Sequence, residues 1–395
     1  MKIALVSPYD FTYPGGVNIH ISSLECCLTN MGHDVKIIAP SSGSVSSLGD
    51  KFIRIGTPIA IPAGGTICRV TISLRLGPTI KSVLNREKFD IIHLHEPFMP
   101  MLCSAVLRFS NTANIATFHA FGGKPGYKFG RPISTLMMKR RLHKLDGKIA
   151  VSKAAMEFAS KYISGYYNII PNGINLELFS PDVSPISEFC DGKLNILFVG
   201  RLEEQKGVDY LIKAYKQVRQ EVPNSRLIIV GPGTRLRGKY EKKVRRSKLK
   251  DVIFVGGKPQ SELPRYYKTA DVFCAPATGL ESFGIVLLEA MAVGKPVVAT
   301  NIAGYNSVLT HGAEGLLVPP RNEKMLAQAL VSLLTNESLR QEMASRARLK
   351  AMEYSWECIA QRILGYYTRI LSEPPWNKHL PEVETVSAQV RDRDN

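Results

Sequence analysis

The chain has 395 residues, 45% hydrophobic and 22% charged, the balance of a folded protein and not of a fibre or a tail. Its 51 Lys and Arg against 34 Asp and Glu leave a formal charge of +17, so the surface attracts phosphate, whether on a nucleotide, an anionic bilayer or a nucleic acid. The seven cysteines show no C-x-x-C spacing, which argues against a zinc knuckle or a disulfide framework and fits a reducing compartment. No run reaches the roughly 18 apolar residues of a membrane span. The richest stretch, 283–300, carries Glu289 and Lys295. The apolar run after Met1-Lys2 ends at Ser7-Pro8, too brief for a signal peptide, so a cytoplasmic location is expected.

Buried parallel strands read as short β-branched and aliphatic runs closed by Gly, Pro or Ser. Such runs occur at 2–8, 34–40, 52–56, 90–96, 114–120 and 147–152, with helical patterns between them at 17–32 and 131–145. A polar, proline-bearing stretch at 180–193 precedes a second series at 194–200, 225–231, 251–256, 271–276, 295–300 and 315–320. At about 100–200 residues per domain, two such arrays predict an α/β protein of two doubly wound domains with a cleft between them. From Met325 to Leu371 the pattern is helical throughout, with TNESL at 335–339 offering an internal cap and Trp356 opening a last amphipathic helix. The segment 373–395 is polar and proline-rich and is expected to be a disordered tail.

The chemistry concentrates in three places. After the first strand, Gly15 and Gly16 open a helix, where glycine lets a ligand approach the backbone and unpaired N–H groups face a phosphate. A tight turn without ligand would carry the same glycines. The second series opens with FVGRLEEQKG, placing Arg201 and Lys206 where two cations suit a diphosphate leaving group. In GLESFGIVLLEAMAVGKPVVAT, Glu281 lies in a loop and can accept hydrogen bonds from sugar hydroxyls. Glu289 lies in the following helix within reach of a ribose diol, and Ser282, Phe283, Gly284 and Ile285 lead into that helix, whose first amides can take a pyrophosphate.

With PGGV (14–17), HEP (95–97), ATFHA (116–120), IPNGIN (170–175) and GLLVPP (315–320), these strings resemble retaining glycosyltransferases of family 4. The resemblance covers residues 1–371 and implies the GT-B fold, two facing Rossmann-like domains with a C-terminal helix returning to the first. The implied divisions are an acceptor domain at 1–180, a nucleotide-sugar domain at 181–355, the returning helix at 356–372 and the tail. Within the family, SPYDFTYPGGV, LHEP, ESFGIVLLEAMA and YSWECIAQRIL are similar to phosphatidyl-myo-inositol mannosyltransferases.

Carried over by residue, the resemblance implies that Gly15, Gly16, Arg201, Lys206, Ser282 to Ile285 and Glu289 bind the donor. It places Glu281 and His119 at the transferred sugar, and Tyr9, Asn18 and Arg69 at the acceptor. It implies GDP-mannose as the nucleotide-sugar co-substrate, a lipid or polyol acceptor such as phosphatidylinositol, and no metal or other cofactor. The implied location is the inner face of the cell membrane. Two positions depart from the mannosyltransferase pattern, Phe98 after HEP and Ala120 after the histidine. The alternative within the family is a UDP-sugar enzyme of glycolipid or surface-polysaccharide synthesis. Outside it, the alternative is a two-domain binding protein without turnover.

The only D-x-D, Asp392-Arg393-Asp394, falls in the tail and not at a strand end in the core. Basic runs at 124–144 and 235–250 hold much of the excess charge, and the first, nearer the acceptor half, is the expected contact with an anionic membrane. Neither run interleaves aromatics as a stacking platform, which argues against nucleic acid.

Overall fold

The computed structural model describes all residues except 14, 64–65, 74–75, 100, 122–139, 234 and 373–395. The first unit follows the chain as β1 (Lys2–Val6), α1 (Gly16–Asn30), β2 (Asp34–Ala39), β3 (Phe52–Arg54), the strands β4 (Ile59–Ala63) and β5 (Thr66–Val70), and α2 (Leu76–Glu87). It continues with β6 (Ile91–His95), α3 (Leu102–Phe109), β7 (Ala113–Phe118), β8 (Gly147–Ala150), α4 (Lys153–Ser160) and β9 (Asn168–Ile169). Its seven-stranded parallel sheet runs in the order β3-β2-β1-β6-β7-β8-β9, and β4-β5 stand apart as an antiparallel pair.

The second unit alternates strand and helix as far as β14 and ends in three successive helices. It comprises β10 (Leu194–Val199), α5 (Val208–Glu221), β11 (Ser225–Val230), α6 (Arg235–Arg246), β12 (Val252–Gly256), α7 (Leu263–Thr269) and β13 (Val272–Ala275). Then follow α8 (Ile285–Ala292), β14 (Val297–Thr300), β15 (Gly315–Val318), α9 (Glu323–Thr335), α10 (Glu337–Met352) and α11 (Trp356–Ser372). Its six strands are ordered β12-β11-β10-β13-β14-β15, all parallel. Such sheets are covered on both faces, which is why β10, β11 and β13 are apolar along most of their length and buried.

In each sheet the strand order reverses once, between β1 and β6 in the first and between β10 and β13 in the second. Connections diverge at such a switch point and leave a crevice at the carboxyl ends of the strands. Every loop carrying a candidate donor residue leaves one of these four strands. A contiguous apolar cluster joins the units, containing Phe118 and Phe158 of the first and Phe283 and Tyr305 of the second. The two sheets and their helices form the expected GT-B arrangement.

The helical stretch expected from 325 to 371 is three helices, broken where Asn336 caps α10 through Leu339 N and where residues 353–355 turn. The last of them, α11, returns to the first unit. Trp356, Ile359, Ile363 and Tyr367 share a buried cluster with Ile21 and Leu24 of α1. Gly173 lets Trp356 lie on the backbone, since a Cβ there would come 2.5 Å from the indole. Of the helix expected at 131–145, residues 140–142 are described and helical, while its first nine residues, most of the 124–144 basic run and the whole expected tail lie outside the described residues.

Candidate active site

The loop after β10 carries Arg201 and, in a short turn, Lys206. Gly207 ends that turn with φ +72°, a backbone region that favours glycine. A Cβ on Gly207 would lie 1.8 Å from the carbonyl oxygen of Pro276, so only glycine lets this loop press against the loop that follows β13. Thr278 N donates to Gln205 O at 2.8 Å across that contact, and Lys206 Nζ meets Glu281 Oε1 at 2.5 Å. Both side chains of the pair remain partly solvent-accessible, at 22% and 14%. Arg201 is half-exposed and pairs with Glu203 at 3.2 Å.

Directly after Glu281, Gly284 takes φ +95° as the N-cap of α8, without a side-chain cap on the helix. The first-turn N–H groups are therefore not taken by a capping side chain, the arrangement that binds anions at helix N-termini. The carbonyl of Ser282 accepts a hydrogen bond from Ser152 Oγ of the first unit at 2.5 Å, so the string is held from both sides of the cleft. Glu289, in the second turn, is buried and accepts the Tyr267 hydroxyl proton at 2.6 Å. Burial pushes its carboxyl up to about 7, against the opposing pull of that hydrogen bond.

Across the cleft, Gly15 is the N-cap of α1, again without a side-chain cap, and a Cβ on either Gly15 or Gly16 would meet nothing within 4 Å. His119 stands half-buried one residue beyond β7 and is not alone. His95 Nδ1 lies 3.1 Å from His119 Nε2, and the His20 ring packs edge-on to His119 at 4.7 Å. Asn172 of the IPNGIN string hydrogen-bonds His20 at 3.0 Å and also bonds His119. Beneath them His93 is held by Tyr367 of α11 and by Thr117, both at 2.6 Å, while Trp356 of α11 packs against His20. Burial depresses all four imidazoles, His20 to about 4 and His93 to about 3, so they are neutral at pH 7.

Ligand atoms of His20, His95 and His119 lie within 4.8 Å of one another, the one such metal-capable group among the described residues. His20 Nε2 and His95 Nε2 are buried without a partner. No carboxylate takes part in the group, and Asn172 and His95 already engage His20 and His119. Glu96 fixes the strand end itself: at φ +50°, its carboxylate accepts the amide N–H groups of His119 at 2.5 Å and Ala120 at 2.6 Å. Its burial raises it to about 7, opposed by these two amides. The roles of His20, His95, Glu96 and Asn172 were not read from the sequence, although the strings HEP and IPNGIN contain three of them.

On the acceptor side, Arg69 of β5 is half-exposed, lies over the Tyr13 ring at 4.7 Å and stands 3.8 Å from Asp10 Oδ2. Its neighbour Cys68 has its thiol raised by burial, opposed by the charge of Arg201. Tyr9 bridges to Val70 beside them. Asn18 is buried under this loop, receiving Ser7 Oγ at 2.9 Å and donating to the carbonyls of Asp10 and Tyr13 at 2.8 and 3.2 Å. Its polar atoms are engaged in holding the loop. Phe98 is also interior, packed on Phe118 at 5.1 Å.

Residues 14–178 match the family model described as Glycosyltransferase Family 4, and residues 181–350 match the one described as Glycosyl transferases group 1. A phosphatidyl-myo-inositol mannosyltransferase of Mycobacterium leprae is 33% identical over 376 residues, covering 94% of this chain and 97% of that one. The chain belongs to glycosyltransferase family 4. The family's architecture is equally evident among solved structures. Sucrose-phosphate synthase of Thermosynechococcus elongatus superposes with a TM-score of 0.73 at 24% identity, covering 94% of this chain and 99% of that one. HepE of Anabaena, in complex with UDP and glucose, gives 0.71 at 20% identity, covering 93% and 99%. As a family-4 protein the chain is a retaining glycosyltransferase. Among its described residues no helix is long and apolar enough to cross a membrane.

Proposed function

We propose that this glycosyltransferase moves mannose from GDP-mannose to a phosphatidylinositol-type membrane lipid at the inner face of the membrane, without a divalent metal. The observation that carries the reading is the Lys206–Glu281 pair, just before the uncapped N-terminus of α8, in a chain similar over 94% of its length to a phosphatidylinositol mannosyltransferase. The geometry suits a sugar diphosphate. Arg201, Lys206 and the first amides of α8 take the charge that grows on the leaving diphosphate. Glu281 accepts hydrogen bonds from hydroxyls of the sugar and orients Lys206, while Glu289, held by the buried Tyr267, takes the ribose.

Retention then proceeds on one face of the sugar. The bond from the anomeric carbon to the diphosphate oxygen breaks, the acceptor hydroxyl oxygen bonds to that carbon from the same side, and its proton passes to the departing diphosphate. His119, held neutral and fixed by Glu96 through the backbone, borders the sugar and contributes a hydrogen bond, not a charge. Arg69 takes the acceptor phosphate. Closure of the two units removes water that would otherwise hydrolyse the donor.

A second reading is a UDP-sugar transferase with another acceptor; the two departures at Phe98 and Ala120 bear on its acceptor and not on its donor. The test is nucleotide release from GDP-mannose or UDP-glucose in chelator, with and without vesicles containing phosphatidylinositol. The proposal requires GDP release that depends on the lipid and yields a mannosylated lipid. Turnover with UDP-glucose alone, or a requirement for magnesium, contradicts it.

A further inference from the structure

Helix α6 has a face that none of the described residues covers. Leu236, Tyr240 and Val244, spaced four apart, seat it on the outer core of the second sheet. Opposite them, Arg235, Lys239, Lys242 and Arg246 follow the spacing i, i+4, i+7, i+11 and form one exposed stripe, with Arg245 and Lys248 beside it. Glu241 is the only acidic residue of the helix, and Arg237 takes it at 2.8 Å; Lys243 pairs with Asp209. The six exposed cations have no acidic partner among the described residues. Like charges three and four residues apart weaken a helix, and a cation in the first turn opposes its dipole. The helix carries this charge at some cost to its own stability.

We propose that this stripe is an electrostatic docking surface for an anionic lipid bilayer. Two observations argue against other occupants. No large apolar side chain between 235 and 250 is exposed, so the surface lacks the anchor that a protein partner's pocket needs. Its one aromatic, Tyr240, is buried, so no base can stack there. A row of flexible cations without apolar anchors matches a fluid surface of lipid phosphates, which rearranges to meet it. Helix α2 offers fewer free cations, Lys81 within it and Lys88 just past its end, with Arg86 already paired to Glu87. The choice of a bilayer over other polyanions rests on the lipid-acceptor reading above; the stripe itself does not.

The test is co-flotation of the full chain with phosphatidylcholine vesicles containing no or 30% phosphatidylglycerol, roughly the charge of an anionic leaflet, with no acceptor lipid and no donor present. The native chain should bind only the anionic vesicles and be released by high salt. Each basic side chain near the surface is worth about fivefold in partitioning. Replacing Lys239, Lys242, Arg245 and Arg246 by Ser should therefore lower it by two to three orders of magnitude, while Lys81→Gln leaves it near the native value. Equal binding by the fourfold variant, binding to neutral vesicles, or stronger binding to single-stranded RNA at the same salt would each overturn the proposal. Vesicle binding by a chain that fails to mannosylate phosphatidylinositol would leave the docking surface standing and remove only the acceptor reading.

Discussion

Replacing Gly207 by Ala attacks the contact that brings Lys206 to Glu281. The new Cβ would stand 1.8 Å from Pro276 O, against an ordinary carbon–oxygen contact of about 3.3 Å, so the two loops must part by about 1.5 Å. A misplacement of about 1 Å at a reacting centre lowers a rate about 10²-fold, so kcat for nucleotide release should fall by at least that factor. The left-handed backbone adds a stability cost of about 1–2 kcal/mol, a few degrees in Tm, which leaves the chain folded. Gly294→Ala supplies the control, since Gly294 has φ +71° but nothing within 4 Å of its Cβ position. Gly207→Ala should lose more stability than Gly294→Ala, because it adds the clash with a backbone carbonyl to the shared left-handed cost, and only Gly207→Ala should lose turnover. Native kcat in Gly207→Ala, or equal losses in the two variants, would refute the reasoning.

Trp356→Ala removes a buried ring that lies on Gly173 and against His20, and should cost about 3–5 kcal/mol in urea unfolding; a loss below about 1 kcal/mol would mean that α11 is not clamped as described. Glu87 is drawn down to about 2 by Lys2, Lys36 and Arg86, so it stabilises the fold above pH 4.5 and loses that contribution as pH falls from 4.5 to 2. Because those cations are partly solvated, Glu87→Gln should lose about 2 kcal/mol at neutral pH and flatten the acid limb of the Tm–pH curve. Glu289 is raised to about 7, so its sign is opposite, with stability falling as pH rises from 4.5 through 7. Glu289→Gln should remove that decline, and an unchanged slope would show that the buried carboxyl does not titrate there.

The two strand series were legible because strands buried on both faces are continuous apolar runs, and Arg201, Lys206, Glu281 and Glu289 could be singled out as candidate donor residues because they lie in contiguous strings. The pairing was not. Lys206 and Glu281 are 75 residues apart and meet only because β10 and β13 are neighbours at the switch point. The histidine network was hidden for the same reason, since His20 of α1, His93 and His95 of β6, His119 after β7 and Asn172 after β9 come from four separate segments that the order β1-β6-β7-β8-β9 gathers. The β4-β5 hairpin escaped because Pro62 and Gly64-Gly65 interrupt its alternation. The stripe on α6 was visible as charge, but whether its cations were paired within the fold depended on Asp209, Glu241 and their geometry.

The most direct test is a double-mutant cycle on Lys206→Ala and Glu281→Gln, read as kcat for nucleotide release at saturating GDP-mannose, with Tm measured on the same samples. If the pair forms the donor site, each variant loses about 10²–10³-fold in kcat while keeping a native Tm, and the double variant loses far less than the product of the two. Near-native turnover in either variant, or losses that multiply, would contradict the assignment of this pair to the reacting centre.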